Sequence, residues 1–177
     1  MELVILLGLA LFAASSLRTS PAETATAPPP PPTGNPRDIV IVKGYKGKEV
    51  KLYRITAQAF LRLQAAAKQA GFNLLLTSGF RTYAEQKSLW EDALKKYKTE
   101  ELARKHVAKP GGSQHEIGSA IDLWLGYDGK PENADKIRGT AVYTWLTQNA
   151  NRYGWRWYDR TIEPWHLEYY YFDKRIA

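Results

Sequence analysis

Two hydrophobic rhythms alternate along this chain, and they predict a mixed fold. Ile39-Val40-Ile41-Val42 and Glu49 to Tyr53 read as two strands around the turn Gly44-Tyr45-Lys46-Gly47. Thr56 is then a plausible N-cap for a helix to about Ala70, because Phe60, Leu63 and Ala67 recur at helical spacing before Gly71. Phe72 to Thr77 carries Leu74, Leu75 and Leu76 and reads as a buried strand. Ser78 to Arg81 leaves it as a loop, and Thr82-Tyr83-Ala84-Glu85 is a capping box that opens a helix through about Tyr97. A shorter helix is expected over Glu100 to Val107. Ala120 to Leu125 is a strand whose alternation sends Asp122 and Trp124 to one face and Ile121, Leu123 and Leu125 to the other. Gly126 to Asp135 is polar and reads as a loop, whose acids do not fit a calcium-loop spacing. Val142, Leu146 and Ala150 place a helix over Thr140 to Tyr153, ended by Gly154. Trp155 to Tyr158 and Trp165 to Phe172 form an antiparallel pair. Strands that cluster late in the chain favour α+β, a single compact domain with a central antiparallel sheet flanked by helices.

The pattern breaks down before Arg37. Leu3 to Ala14 is an apolar run too short for a confident membrane span, so residues 1–18 read as a signal peptide. Glu2 stands where a basic residue is expected, which leaves an uncleaved membrane anchor as the alternative. Residues 19–36 are rich in Pro, Ala and Thr, with consecutive prolines from Pro28 to Pro32; they read as a disordered, extended linker. The folded domain is expected over residues 37–177. There is no Cys, which excludes a disulfide framework, a thiolate metal site and a lipoprotein anchor. The net charge of +7 is scattered, without a dense basic run. No nucleic-acid module accompanies it, so an anionic membrane or an acidic polymer such as cell wall is the better partner.

Chemistry concentrates in two places. Pro110 to Leu123 begins as a Gly-rich loop and ends in an apolar run that contains Asp122. A carboxylate there is costly to bury unless it is paired or binds a metal. His115 precedes it in the loop, and Glu163-Pro164-Trp165-His166 adds a second His and another acid. Two His and an Asp, with a Glu close by, match a zinc site that keeps one position open for water. A carboxylate beside that water is where a general base is needed. Pro164 breaks strand regularity, so Glu163 and His166 need not point to opposite faces. His106, the remaining histidine, lies in the basic run Arg104-Lys105-His106 and is left out.

Three stretches resemble the motifs of VanY-type zinc D-alanyl-D-alanine carboxypeptidases, in the same order. They are Ser78-Gly79-Phe80-Arg81-Thr82-Tyr83-Ala84-Glu85-Gln86, Ser113-Gln114-His115-Glu116-Ile117-Gly118-Ser119-Ala120-Ile121-Asp122 and Glu163-Pro164-Trp165-His166. The resemblance implies a hedgehog/D,D-peptidase-like fold and one Zn2+ per chain, held by His115, Asp122 and His166. It implies Glu163 as catalytic base, Arg81 at the scissile carbonyl, and Ser113 and Gln86 at the substrate's terminal carboxylate. The expected partner is a peptidoglycan stem peptide, cut by a monomer outside the cytoplasm, with a membrane involved only through an N-terminal anchor. Related L,D-carboxypeptidases, D,D-dipeptidases and endopeptidases remain alternatives. A non-catalytic zinc-stabilised module of the hedgehog type is another, but it has no need of Glu163 and Arg81 together.

Overall fold

The computed structural model describes residues 34–172. The signal-peptide or anchor segment, and the linker up to residue 33, lie outside the described residues. Strands β1 (Ile39–Lys43) and β2 (Glu49–Tyr53) form an antiparallel hairpin closed by a 3-10 turn at Tyr45–Gly47. Helix α1 (Arg54–Gln69) leads to β3 (Leu75–Ser78), α2 (Tyr83–Tyr97) and the short α3 (Glu100–Arg104). One turn of helix, α4 (Gln114–Ile117), precedes β4 (Ala120–Trp124). Then come α5 (Ala134–Arg138), α6 (Ala141–Asn149), β5 (Trp155–Arg156) and β6 (His166–Tyr169). The fold is α+β, and its second sheet has the order β3-β4-β6-β5 with every neighbour antiparallel.

That sheet has two different faces. Ile121 and Leu123 of β4 and Leu167 of β6 are fully buried with Leu76 of β3 and the apolar face of α1, which offers Ile55, Phe60, Leu63 and Ala67. Each fully buried side chain of this kind is worth about 1.5–3 kcal/mol. Trp155 reaches into the same layer and donates from Nε1 to the Ala59 carbonyl at 3.3 Å. The alternate residues Asp122, Trp124 and His166 occupy the opposite face, away from α1, and that face carries the chemistry. A smaller cluster, Trp90, Ala93 and Ala103, ties α3 to α2.

Several elements differ from the sequence reading. Helix α1 begins three residues early, at Arg54, and Tyr53 is its N-cap. Thr56 caps nothing: its buried hydroxyl donates to the Gly118 carbonyl at 2.6 Å, a contact across the fold that local pattern does not reveal. Helix α3 stops at Arg104, and β6 runs only from His166 to Tyr169. Helix α5 lies at the end of the stretch read as loop, and it is too short to display a period. Helix α4 was hidden by its Gly-rich setting, although Ser113 and Glu116 form a capping box that is visible in the sequence.

Candidate metal centre

Strand register assembles most of the site. Asp122 is paired directly with His166 across β4 and β6, and with Ser78 across β3 and β4. Directly opposed residues of antiparallel strands project from the same face. His166 Nδ1 accordingly lies 2.9 Å from Asp122 Oδ1. The third member arrives on α4. Ser113 and Glu116 box its N-terminus, and Gly118 ends it at φ +86°, with Tyr53 packed so close that a Cβ there would lie 2.2 Å from the ring. Only glycine satisfies both conditions. His115 Nε2 thereby comes 3.3 Å from Asp122 Oδ2, and one ligand atom each from His115, Asp122 and His166 falls within 4.8 Å of the others.

This donor set fits a divalent metal. His115 Nδ1 lies 2.7 Å from the Gly79 carbonyl, which fixes the proton on that nitrogen and turns the Nε2 lone pair toward Asp122. A cation between Nε2 and the carboxylate, either a proton or a metal ion, satisfies both groups. Ligand atoms about 2.1 Å from a tetrahedral ion are about 3.4 Å apart, close to the spacings found here. The three side chains are nearly or largely buried. Burial opposes charge on Asp122, but the His115 and His166 imidazoles outweigh it and hold the carboxyl far below the usual range. Burial likewise opposes charge on His166, yet its contacts with Asp122 and Glu168 push it up to about 10.

Glu163 stands beside this group. Glu163 to His166 is a turn in which His166 N–H donates to the Glu163 carbonyl at 3.0 Å, with Pro164 at the second position. Its preceding loop is pinned by Asp159, whose Oδ1 accepts from Thr161 N and whose carbonyl accepts from Glu163 N. Burial raises the Glu163 pKa above the ordinary value; nearby Asp122 adds to this, and His166, His115 and Arg81 oppose it. The side chain is thus within electrostatic reach of all three candidate ligands and of Arg81.

Arg81 is held from three directions. Its guanidinium donates to Gln86 Oε1 at 2.7 Å and to Ser78 Oγ at 3.3 Å, and its backbone N–H donates to the His115 carbonyl at 3.1 Å. Gln86 is buried, and its Nε2 donates to the Ala108 carbonyl at 2.7 Å. Its carbonyl oxygen and one of its two amide N–H groups are thus engaged within the protein. Ser113 is buried at the cap of α4, where its Oγ accepts from His115 N at 3.3 Å. His106 stacks on Tyr97 with ring centroids 4.2 Å apart, apart from the metal group.

Sequence reading passed over Glu168. Two residues beyond His166 on β6, it shares that face, is buried, and lies 3.9 Å from His166 Nε2 and 3.6 Å from Arg156. A charged residue at strand spacing from a ligand was the available signal.

The family model described as VanY, D-alanyl-D-alanine carboxypeptidase, matches residues 49–172. The chain belongs to the VanY family. It is 33% identical over 148 residues to the putative carboxypeptidase YodJ of Bacillus subtilis, covering 76% of this chain and 54% of that protein. It is also 33% identical over 123 residues to a D-alanyl-D-alanine carboxypeptidase of Enterococcus faecalis, covering 59% and 42%. The chain spans about half the length of the curated relatives it matches. Among solved structures, the LdcB LD-carboxypeptidase matches with a TM-score of 0.66 at 27% identity, covering 82% of this chain and 77% of that one. VanYB in complex with D-alanine-D-alanine matches with a TM-score of 0.56 at 26% identity, covering 81% and 84%. A VanY D,D-pentapeptidase variant in complex with Zn(II) matches with a TM-score of 0.55 at 25% identity, covering 80% and 84%.

Proposed function

We propose that this chain is a zinc-dependent D,D-carboxypeptidase that removes the terminal D-Ala from peptidoglycan stem peptides. The observation that carries this reading is the convergence of His115, Asp122 and His166 beside a half-buried acid, Glu163, with Arg81 in electrostatic range of that acid. The Zn(II) and D-alanine-D-alanine complexes of the VanY relatives support the choice of metal and substrate. His115, Asp122 and His166 would hold one zinc ion. Bound there, zinc supplies Lewis acidity, which brings the pKa of a water towards 7 and polarises a carbonyl.

The protein's own groups do the rest. Glu163 takes a proton from the attacking water as its oxygen joins the carbonyl carbon, and delivers that proton to the amine as the C–N bond breaks. Arg81, immobilised by Gln86 and Ser78, presents positive charge to the carbonyl oxygen as that oxygen becomes negative. The Ser113 hydroxyl accepts from His115 N, which leaves its own O–H for the substrate's terminal carboxylate. Gln86 acts as a positioning residue for Arg81. Residues 37–177 form the catalytic domain; residues 19–36 are its spacer, and residues 1–18 direct or tether it outside the cytoplasm.

The likeness to the LdcB LD-carboxypeptidase supports a second reading, in which the same site removes D-Ala from the shorter tetrapeptide stem. Mass analysis of muropeptides digested with the zinc-loaded full chain separates the two. Loss of one residue from pentapeptides supports the first reading, and loss from tetrapeptides alone supports the second. Unchanged masses, or cleavage within the stem, count against both.

A further inference from the structure

A cleft of about 420 Å³ opens beside the metal group, and the reaction as drawn leaves it without a role. Asp122 and Thr77 line its inner part. One wall is aromatic: Tyr45 stacks on Trp124 with centroids 3.9 Å apart and planes at 10°. Trp165, almost completely buried, and the exposed Gly129 provide another part of the lining. The aromatic wall is held by the hairpin. Gly44 passes so close to β3 that a Cβ would lie 2.3 Å from the Leu76 carbonyl, and Lys48 Nζ donates to the Thr77 carbonyl at 2.9 Å. These contacts set Tyr45 against Trp124 and carry Lys46 to the rim.

The exposed side chains of the lining are charged. Lys46, Lys130 and Asp128 are all solvent-accessible. Asp128 pairs with Lys130 at 3.0 Å. Lys46 sits over the Tyr45 ring at 5.3 Å and makes no ion pair among the described residues. Asp122, the other acid of the lining, is engaged by His115 and His166. The rim therefore has one positive charge in excess, above apolar walls.

We propose that this cleft is the subsite for the acyl side of the peptide, and that Lys46 and Lys130 favour an acyl side bearing a free carboxylate. This rests on the peptidase reading above, since Arg81 and Ser113, assigned there to the carbonyl and the terminal carboxylate, do not line the cleft. A substrate held by them on one flank of the metal group extends its remaining residues into the cleft on the other. The aromatic walls accept the peptide's apolar surface, and the rim ammonium groups read the charge of the second residue on the acyl side.

The test uses two pentapeptides ending in D-Ala-D-Ala that differ only in a carboxylate or a carboxamide on the side chain of that second residue. Equilibrium binding to the zinc-loaded Glu163→Gln chain reads the subsite without turnover. The carboxylate peptide should bind about three- to tenfold more tightly, as two solvent-exposed charge contacts allow, and the ratio should shrink towards one at about 1 M salt. In a Lys46→Asn, Lys130→Gln double variant the ratio should be close to one; Asn is chosen because Lys46 has φ +54°, which Asn tolerates. Equal binding of the two peptides to the Glu163→Gln chain, binding of neither, or an unchanged ratio in the double variant overturns the proposal. Cleavage by the chain with Glu163 intact is read separately: binding preference without any product release contradicts the peptidase reading and leaves the subsite standing.

Discussion

The two flanks of the metal group are built on opposite plans. On the Arg81 flank every polar group is buried or bonded to another part of the protein: Arg81 to Gln86 and Ser78, Gln86 to Ala108, Ser113 to His115. On the cleft flank, stacked aromatic rings line a groove whose charged rim is exposed. Preorganised groups in a water-poor setting act on charge that develops during reaction, whereas exposed lysines contribute only modest selectivity. The contrast separates a flank built for chemistry from one built for choice of substrate.

Arg81→Ala should break the first flank most severely. Removing a charge-stabilising donor typically costs about 10²–10³ in kcat, and the loss should appear in steady-state kinetics with the zinc content unchanged. The metal group between the flanks should respond to pH. His166, pushed up to about 10 by Asp122 and Glu168 against the opposing effect of burial, must give up its proton to bind zinc. Affinity should therefore fall as pH falls, by about tenfold per unit for one displaced proton, in competition titrations between pH 8 and 6. Gln86→Met should be milder. Arg81 keeps its charge but loses its main anchor, so a decrease of about tenfold in kcat with little change in KM is expected. An effect on KM alone would return Gln86 to the substrate carboxylate.

The smallest effect concerns the support of α4. Thr56→Val keeps the shape of the side chain but leaves the Gly118 carbonyl without its buried donor. Urea unfolding should show a loss of about 1–3 kcal/mol in stability.

What the sequence discloses depends on how far each residue's partner lies along the chain. The Thr82–Glu85 box and the alternation of Asp122 and Trp124 against Ile121 and Leu123 are local signals, and they are legible. Thr56 bonds to a carbonyl 62 residues away and Gln86 to one 22 residues away, so helical spacing misassigned the first and family resemblance alone suggested a role for the second. The pairing of Asp122 with His166 is also long-range, but a buried acid and a histidine beside Pro164 were unusual enough to suggest a common site before the register joined them. The Tyr45–Trp124 wall had no such sign. It depends on a hairpin docking against β3, and nothing in Gly44-Tyr45-Lys46-Gly47 by itself predicts what that turn will face.

The central claim is that Glu163 serves as base at a zinc site formed by His115, Asp122 and His166. The most direct measurement compares the full chain with Glu163→Gln, reading zinc by elemental analysis and released D-Ala from a pentapeptide ending in D-Ala-D-Ala. The account predicts close to one zinc per chain in both proteins and a fall in kcat of about 10²–10⁴-fold in the variant. Full activity in Glu163→Gln with zinc still bound would contradict it.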